Sequence, residues 1–279
     1  MSSFICPVCG KELKPNNGNL SCENRHSFDI AKSGYVNLLL SQQPKAKHHG
    51  DDRLMVRSRR DFLDKGYYAP LLKSLAETVK KYAKNGCVIL DAGCGECWYT
   101  AGIYDYLKKS ETEPQMLGVD ISKDALALGA KRGRELKLAV ASVFNLPVGD
   151  EACDILLSVF APYSGKEFGR VLAKDGVLIR VVPLEKHLWR LKEAVYDAPY
   201  ENPAESSDLD GFRLLCKHEI RETIHISSNE DIVNVFTMTP YYYKTSAKDQ
   251  KKLQNLTEID TEIEFGILIY RKQSGEKGV

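Results

Sequence analysis

Between residues 55 and 84 apolar side chains recur at helical spacing, Phe62, Leu63, Leu71, Leu72, Leu75 and Val79 among them. The rhythm breaks near Gly66 and Pro70, so two helices are predicted there. From residue 87 onward, short apolar runs at 87–92, 115–120, 137–141, 153–159 and 176–182 read as strands. Helical patterns at 98–108, 122–132 and near 166–173 lie among them, the second capped by Ser122. Strand and helix alternating at this interval imply parallel βαβ units and a doubly wound α/β sheet. Beyond residue 212 two longer strands, 212–226 and 262–271, surround a helix at 229–236. A final strand pair without a crossover helix predicts one antiparallel strand in a mostly parallel sheet.

The front of the chain carries chemistry. Cys6-Pro7-Val8-Cys9, Cys22 and His26 form a C-x2-C-x12-C-x3-H pattern, four ligands at zinc spacing. Four protein ligands leave no open coordination position, so the metal's part is structural. The compact module ends near residue 40, with Gly10 and Gly18 in turns and residues 35–40 as an apolar exit. Residues 41–52, holding Pro44, Gly50 and a His48-His49 pair, read as a polar loop; the pair is taken as solvent-exposed, with a metal site as the alternative.

Composition narrows the class. With 279 residues and 43% hydrophobic content the chain has room for one large α/β domain and a small appended one. No run of eighteen apolar residues occurs, and Met1-Ser2-Ser3 opens straight into the cysteine motif without a basic region or cleavage site. A cytoplasmic protein that does not span a membrane is expected. Thiols stay reduced there, so the eight cysteines read as metal ligands and buried small hydrophobes, the latter for Cys87, Cys153 and Cys216. The net charge of +1 hides +5 over residues 1–60 and −4 over the rest. Lys45, Lys47, Arg53, Arg57, Arg59 and Arg60 could meet phosphates, or form a solvated basic linker.

A glycine-rich loop, Asp91-Ala92-Gly93-Cys94-Gly95-Glu96-Cys97, follows one apolar strand and opens a helix, the setting in which backbone approaches a nucleotide-like ligand. Asp120, ending the next strand, is placed to accept ribose hydroxyls. A nicotinamide dinucleotide asks for a third glycine where this chain has Cys97, because its pyrophosphate rests on the helix end. S-adenosylmethionine has no phosphates, and its ammonium and sulfonium charges suit Asp91 and Glu96; it is the favoured cofactor. Cys94-x-x-Cys97 also spells a redox dithiol, but inside this loop the spacing reads as incidental.

These motifs together resemble the bacterial 23S rRNA (guanine-N1)-methyltransferases, the group that includes tylosin-type macrolide resistance enzymes. The likeness runs nearly end to end: the Cys6/Cys9/Cys22/His26 finger, the segment from Phe28 to Leu39, Gly50-Asp51, and Arg59-Arg60-x-Phe62-Leu63-Asp64-x-Gly66-x-Tyr68-x-Pro70. It continues through Leu90 to Glu96, Gly118-x-Asp120, Leu146-Pro147, Phe160-Ala161-Pro162, His187-Leu188 and Met238-Thr239-Pro240. The finger and the Arg-Arg-x-Phe-Leu segment are specific to that group, whereas related methyltransferases share the glycine loop. The resemblance implies a class I S-adenosylmethionine-dependent methyltransferase fold, Rossmann-like, with a small N-terminal zinc-binding module. It implies zinc on Cys6, Cys9, Cys22 and His26, and S-adenosylmethionine against Tyr68, Gly95, Glu96 and His187, with Asp91, Gly93 and Asp120 added from the loop. The substrate implied is a guanine in a hairpin loop of 23S rRNA, and two chains are expected to pair around the RNA. The organisation expected is a zinc-binding RNA-recognition module over 1–40, a basic linker with helices over 41–84, and the methyltransferase domain over 85–279. Cys97-Trp98 departs from the family, which has a glycine before the aromatic; a side chain there is expected to crowd the loop and weaken the cofactor's hold.

Methyl transfer from a sulfonium is an in-line displacement, so alignment dominates. Guanine N1 carries a proton that must leave, which calls for a base or a water relay. Glu185, His187, Asp51 and Asp52 are candidates by residue type alone, and the catalytic base stays unknown at this stage. The base must be splayed out and held between apolar faces. The Ala161-Pro162-Tyr163 loop is the expected seat, with Phe160, Tyr163 and the 241–243 tyrosines as faces; core packing is the plain alternative for these aromatics. Arg57, Arg59 and Arg60 are expected RNA contacts, Arg57 and Arg60 on one helix side. Two rival readings remain: a small-molecule methyltransferase, against which the basic metal-bearing front stands, and an RNA-binding protein whose methyltransferase domain is inactive.

Overall fold

A computed structural model of the chain describes residues 4–40 and 50–273. Pro44, Lys45, Lys47 and the His48-His49 pair lie outside the described residues. The front is an antiparallel meander of three short strands, β1 (Lys14–Asn16), β2 (Asn19–Ser21) and β3 (Ser27–Asp29). The apolar exit then forms β4 (Tyr35–Asn37), which joins the main sheet parallel to β7 (Leu136–Val140).

The main sheet also contains β5 (Val88–Ala92), β6 (Gln115–Asp120), β8 (Cys153–Val159), β9 (Leu172–Pro183), β10 (Phe212–Ile226) and β11 (Ile259–Lys272). Its order is β10-β11-β9-β8-β5-β6-β7-β4. Strand β11 runs against both its neighbours, while all pairings from β9 to β4 are parallel, as the pattern predicts. The α-helices among the described residues are α1 (Arg53–Asp64), α2 (Ala69–Tyr82), α3 (Trp98–Lys109), α4 (Lys123–Gly129), α5 (Gly165–Val171), α6 (Trp189–Val195), α7 (Asn229–Thr237) and the single turn α8 (Ala247–Gln250). The pattern missed α6, whose seven residues are too few to show a helical period.

Strand β5 is buried throughout, and its alternating side chains serve two cores. Ile89 faces a core with Phe62, Leu71, Leu75 and Ile103 from α1, α2 and α3. Val88 and Leu90 face the other, which contains Phe168 and Val171 of α5. That second core also takes in Phe4, Leu13 and Val36, so the zinc module packs into the sheet's own interior. Backbone bonds add to the union: Ile5 N–H donates to Pro147 O and Leu38 N–H to Val140 O, both at 2.9 Å. The chain leaves β5 toward β6 and β7 on one side and returns to β8 and β9 on the other. The carboxyl ends of β5 and β8 therefore diverge into a crevice, where open α/β sheets bind ligands.

Candidate active site and metal centre

Two tight turns bring the metal-binding side chains together. Gly10 (φ +71°) donates its N–H to Cys6 O at 2.8 Å, and Arg25 (φ +64°) donates to Cys22 O at 2.9 Å. The ligand atoms of Cys6, Cys9, Cys22 and His26 all lie within 4.8 Å of one another. Cys9 Sγ is 3.6 Å from Cys22 Sγ, and His26 Nδ1 is 3.4 Å from Cys22 Sγ and 3.5 Å from Cys6 Sγ. A tetrahedron with metal–sulfur bonds of ~2.3 Å has edges of similar size, so these residues fit zinc.

At the crevice, Asp91, the penultimate residue of β5, has its carboxyl almost wholly buried. Thr100, on the first turn of α3, donates to Asp91 Oδ2 at 2.6 Å, while Oδ1 has no partner. Burial pushes this carboxyl up to about 7, with Thr100 opposing the shift and the Asp120 and Glu96 charges adding to it. An unpaired carboxylate oxygen raised by burial is a seat for a cationic group, which restores what water would supply. Gly93 (φ +91°) passes so close to the loop after β8 that a Cβ would run into that of Ala161. Gly95 donates its N–H to Asp120 Oδ2 and Ser122 donates to Oδ1, both at 2.8 Å. Asp120 thus braces the glycine loop; a carboxylate oxygen accepting one bond still has room to accept from a ribose hydroxyl. The crevice fits S-adenosylmethionine: Asp91 for its positive end, Gly93 and Gly95 for close approach, Asp120 for its ribose.

Cys97 corrects the expectation of a crowded loop. Its backbone takes the left-handed conformation (φ +62°) that a glycine would adopt freely. The side chain points away from the crevice into a small cluster with Cys94, Leu126, Leu138 and Val140. A Cβ on Gly129 of α4 would lie 2.6 Å from Cys97 Sγ, so the glycine on the helix leaves the room that the cysteine side chain fills. Left-handed strain of ~1–2 kcal/mol is offset by this packing. Gly129→Ala should therefore destabilise the fold by ~1–3 kcal/mol in denaturant unfolding. Cys97→Gly should change cofactor affinity less than about threefold. Burial pushes the Cys94 thiol well up, against redox use of the pair.

Tyr68 and His187, both expected at the cofactor, lie against each other. Glu264 N–H donates to His187 Nδ1 at 3.2 Å, which leaves the ring proton on Nε2 to donate to Tyr68 Oη, also 3.2 Å away. Burial, helped by the Lys192 charge, pushes the imidazole down to about 3 and keeps it neutral. Its one basic nitrogen is occupied, so His187 is an orienting group and not the base. The loop carrying it is held by Asn202, which sequence reasoning missed. Asn202 donates from its backbone to Glu185 O and from Nδ2 to Leu184 O, both at 2.8 Å. Its Oδ1 accepts from Lys192 Nζ (2.7 Å) and Tyr241 Oη (2.6 Å).

The other candidate bases are engaged elsewhere. Asp52 caps α1 by accepting from Leu54 and Met55 N–H and also takes the Tyr243 hydroxyl; Asp51 pairs with Arg59 at 2.5 Å. Glu185 faces Arg221 at 3.9 Å. Among the aromatics, Phe160 stands 45% exposed at the crevice in the left-handed region (φ +54°), a strain that marks functional loops. Tyr163, expected as a stacking face, instead packs its ring on Phe168 and Phe212 and under the Arg180 guanidinium, the plain packing alternative. Ala161 stays against Gly93 at the crevice, and Pro162 beside it is exposed. The three tyrosines divide, with Tyr241 turned inward to Asn202 and Tyr243 exposed.

Arg59 is a further correction. Three-quarters covered, it joins Asp51 to Met238 O (3.2 Å) and lies in the field of Glu96 and Asp120. It closes the rim of the crevice instead of facing outward. Arg132 reinforces this rim, donating to Glu96 O at 2.7 Å. On the opposite face of α1, Arg57 is exposed and Arg60 is paired with Asp61 at 2.6 Å.

The zinc-ribbon family described as RlmA, N-terminal, matches residues 4–47, and the Methyltransferase domain family matches residues 89–176. The chain is 30% identical over 281 residues to the "Putative 23S rRNA (guanine-N(1)-)-methyltransferase YxjB" of Bacillus subtilis (strain 168), spanning 97% of this chain and 98% of that protein. It is 38% identical over 194 residues to the "23S rRNA (guanine(748)-N(1))-methyltransferase" of Streptomyces fradiae, spanning 68% of this chain and 66% of that protein.

Proposed function

Since the chain belongs to the family of 23S rRNA (guanine-N1)-methyltransferases, we propose that it moves the methyl group of S-adenosylmethionine to N1 of a guanine in a hairpin loop of 23S rRNA. The observation that carries this is the match along 97% of the chain, which takes in the zinc module and the crevice alike. A small-molecule methyltransferase would need no such module. Tyr68, Asp91, Gly93, Gly95, Glu96, Asp120 and His187 hold the cofactor in this reading. Residues 1–40 select the RNA, 41–84 supply the basic rim, 85–279 perform the transfer, and two chains pair around the substrate.

When bound, the cofactor supplies an electrophilic methyl on sulfur. Asp91 neutralises positive charge, the Asp120-braced loop fixes the ribose end, and the neutral His187–Tyr68 pair sets the wall beside the reacting groups. Among the described residues no helix is long and apolar enough to cross a membrane. Arg57 is an outward-facing cation of α1. Arg57→Ala should weaken RNA binding and reduce the slope of log affinity against log salt by about 0.7–0.9, with cofactor affinity unchanged. An unaltered slope would remove Arg57 from the interface. The reading itself is tested by primer extension on treated protein-free 23S rRNA, since a methyl on N1 blocks the Watson–Crick edge. A new stop at one guanine is expected; a transcript read through without a stop contradicts it.

A further inference from the structure

Besides Asp91 Oδ1, a second buried polar atom at the crevice has no partner: the hydroxyl of Tyr99, on the first turn of α3. Its neighbour Thr100 turns down to Asp91, whereas the Tyr99 ring meets Phe160 edge-on with centroids 6.2 Å apart. The charged and titratable groups that face the hydroxyl are Tyr68, Glu96 of the glycine loop and Arg59 of α1. Burial, joined by the Tyr68 and Glu96 charges, holds this phenol well above its ordinary range, so it keeps its proton and remains a donor. A buried hydroxyl without a partner is costly and calls for an account.

Building on the guanine-N1 reading, we propose that Tyr99 is a further catalytic residue whose hydroxyl donates a hydrogen bond to O6 of the target guanine. When the N1 proton passes to water, the negative charge spreads over N1 and O6. The N1 electron pair then bonds the methyl carbon while the carbon–sulfur pair withdraws to sulfur. The products are neutral 1-methylguanine, a neutral thioether and one released proton. Of the four groups weighed as the base, His187 has its one basic nitrogen occupied, Asp51 pairs with Arg59, Asp52 caps α1, and Glu185 lies 3.9 Å from Arg221. A route that needs none of them is to make N1 more acidic, which a donor at O6 does by stabilising the charge that develops there. What points to the base is Phe160, the exposed and strained residue of the loop after β8, which the Tyr99 ring borders; Tyr68 and Glu96 of the cofactor set also face the hydroxyl, so cofactor affinity is measured beside the rate.

The test compares wild type with Tyr99→Phe, both full-length and zinc-loaded. Single-turnover methylation of a 23S rRNA transcript is followed from about pH 6 to about pH 9.5, alongside calorimetric S-adenosylmethionine affinity. At neutral pH the variant should be roughly 10- to 100-fold slower, the loss of one hydrogen bond to a charged group. The deficit should shrink as pH rises and N1 ionises unaided, with cofactor affinity unchanged. A deficit of the same factor at every pH would overturn the proposal in favour of packing. Weakened cofactor binding with an unaltered pH profile would assign the hydroxyl to the cofactor and overturn it too. If wild type itself forms no 1-methylguanosine, the guanine-N1 reading fails and takes this proposal with it. If wild type does form it and the Tyr99→Phe profile matches, only the role of Tyr99 fails.

Discussion

Asp91→Asn should weaken S-adenosylmethionine binding by roughly 10- to 100-fold, because it removes a charge-assisted contact from a buried site while preserving shape. The wild-type carboxyl, pushed up to about 7 by burial, adds a pH signature. Below that pH the free protein holds a proton on Asp91, and a cation must displace it to bind. Affinity should therefore rise about tenfold per pH unit from about pH 5.5 to about pH 7 and then level off. The ligand's amine stays protonated over that window; burial also raises the Glu96 and Asp120 carboxyls, so the comparison with the asparagine variant isolates the part due to Asp91. Calorimetry across the window checks both points, since the asparagine variant should show a flatter profile. A wild-type affinity that ignores pH, or a variant that binds as tightly as wild type, would place the positive end of the cofactor elsewhere.

Zinc removal should have the second largest effect. Phe4, Leu13 and Val36 of the module share a core with Leu90, Leu117 and Ala139 of the main sheet, so loss of the metal loosens both. A module of this size cannot hold its strands without the ion. Chelation or Cys22→Ser should lower the unfolding midpoint on the order of 10 °C, at roughly 2–4 °C per kcal/mol for a chain of this size. Below that midpoint S-adenosylmethionine affinity should change less than about threefold, because β4 pairs with β7 at the edge of the sheet and the crevice lies at β5 and β8. RNA methylation should be lost. Cofactor binding that disappears in step with the metal would show that β4 is required to hold the crevice.

Where local spacing decides the outcome, the sequence was readable. The four zinc ligands and the glycine loop after β5 announce themselves through residue type at a fixed interval, and the antiparallel β11 through the final pair of long strands. What was hidden depends on partners distant in the chain. Arg59 reads as one more basic helix residue until Asp51 and Met238 are placed beside it. Cys97 reads as an obstruction until Gly129, on another helix, is seen to make room for its sulfur. Tyr163 reads as a stacking face until Arg180 and Phe212 claim its ring. The exit strand β4 has only three residues, too few to distinguish a link to the sheet from the end of a module. Asn202 lies in an irregular segment, where no periodicity singles out the residue that closes a network. For Tyr99 a signal did exist, its place on the first turn after the glycine loop, but only the unpaired hydroxyl gives that place a meaning.

The central claim, methyl transfer to guanine N1, is tested most directly with labelled S-adenosylmethionine and protein-free 23S rRNA that lacks the modification, followed by mass spectrometry of the digested nucleosides. The account predicts label in 1-methylguanosine. Label in any other nucleoside, or none while zinc and cofactor are both bound, would contradict it.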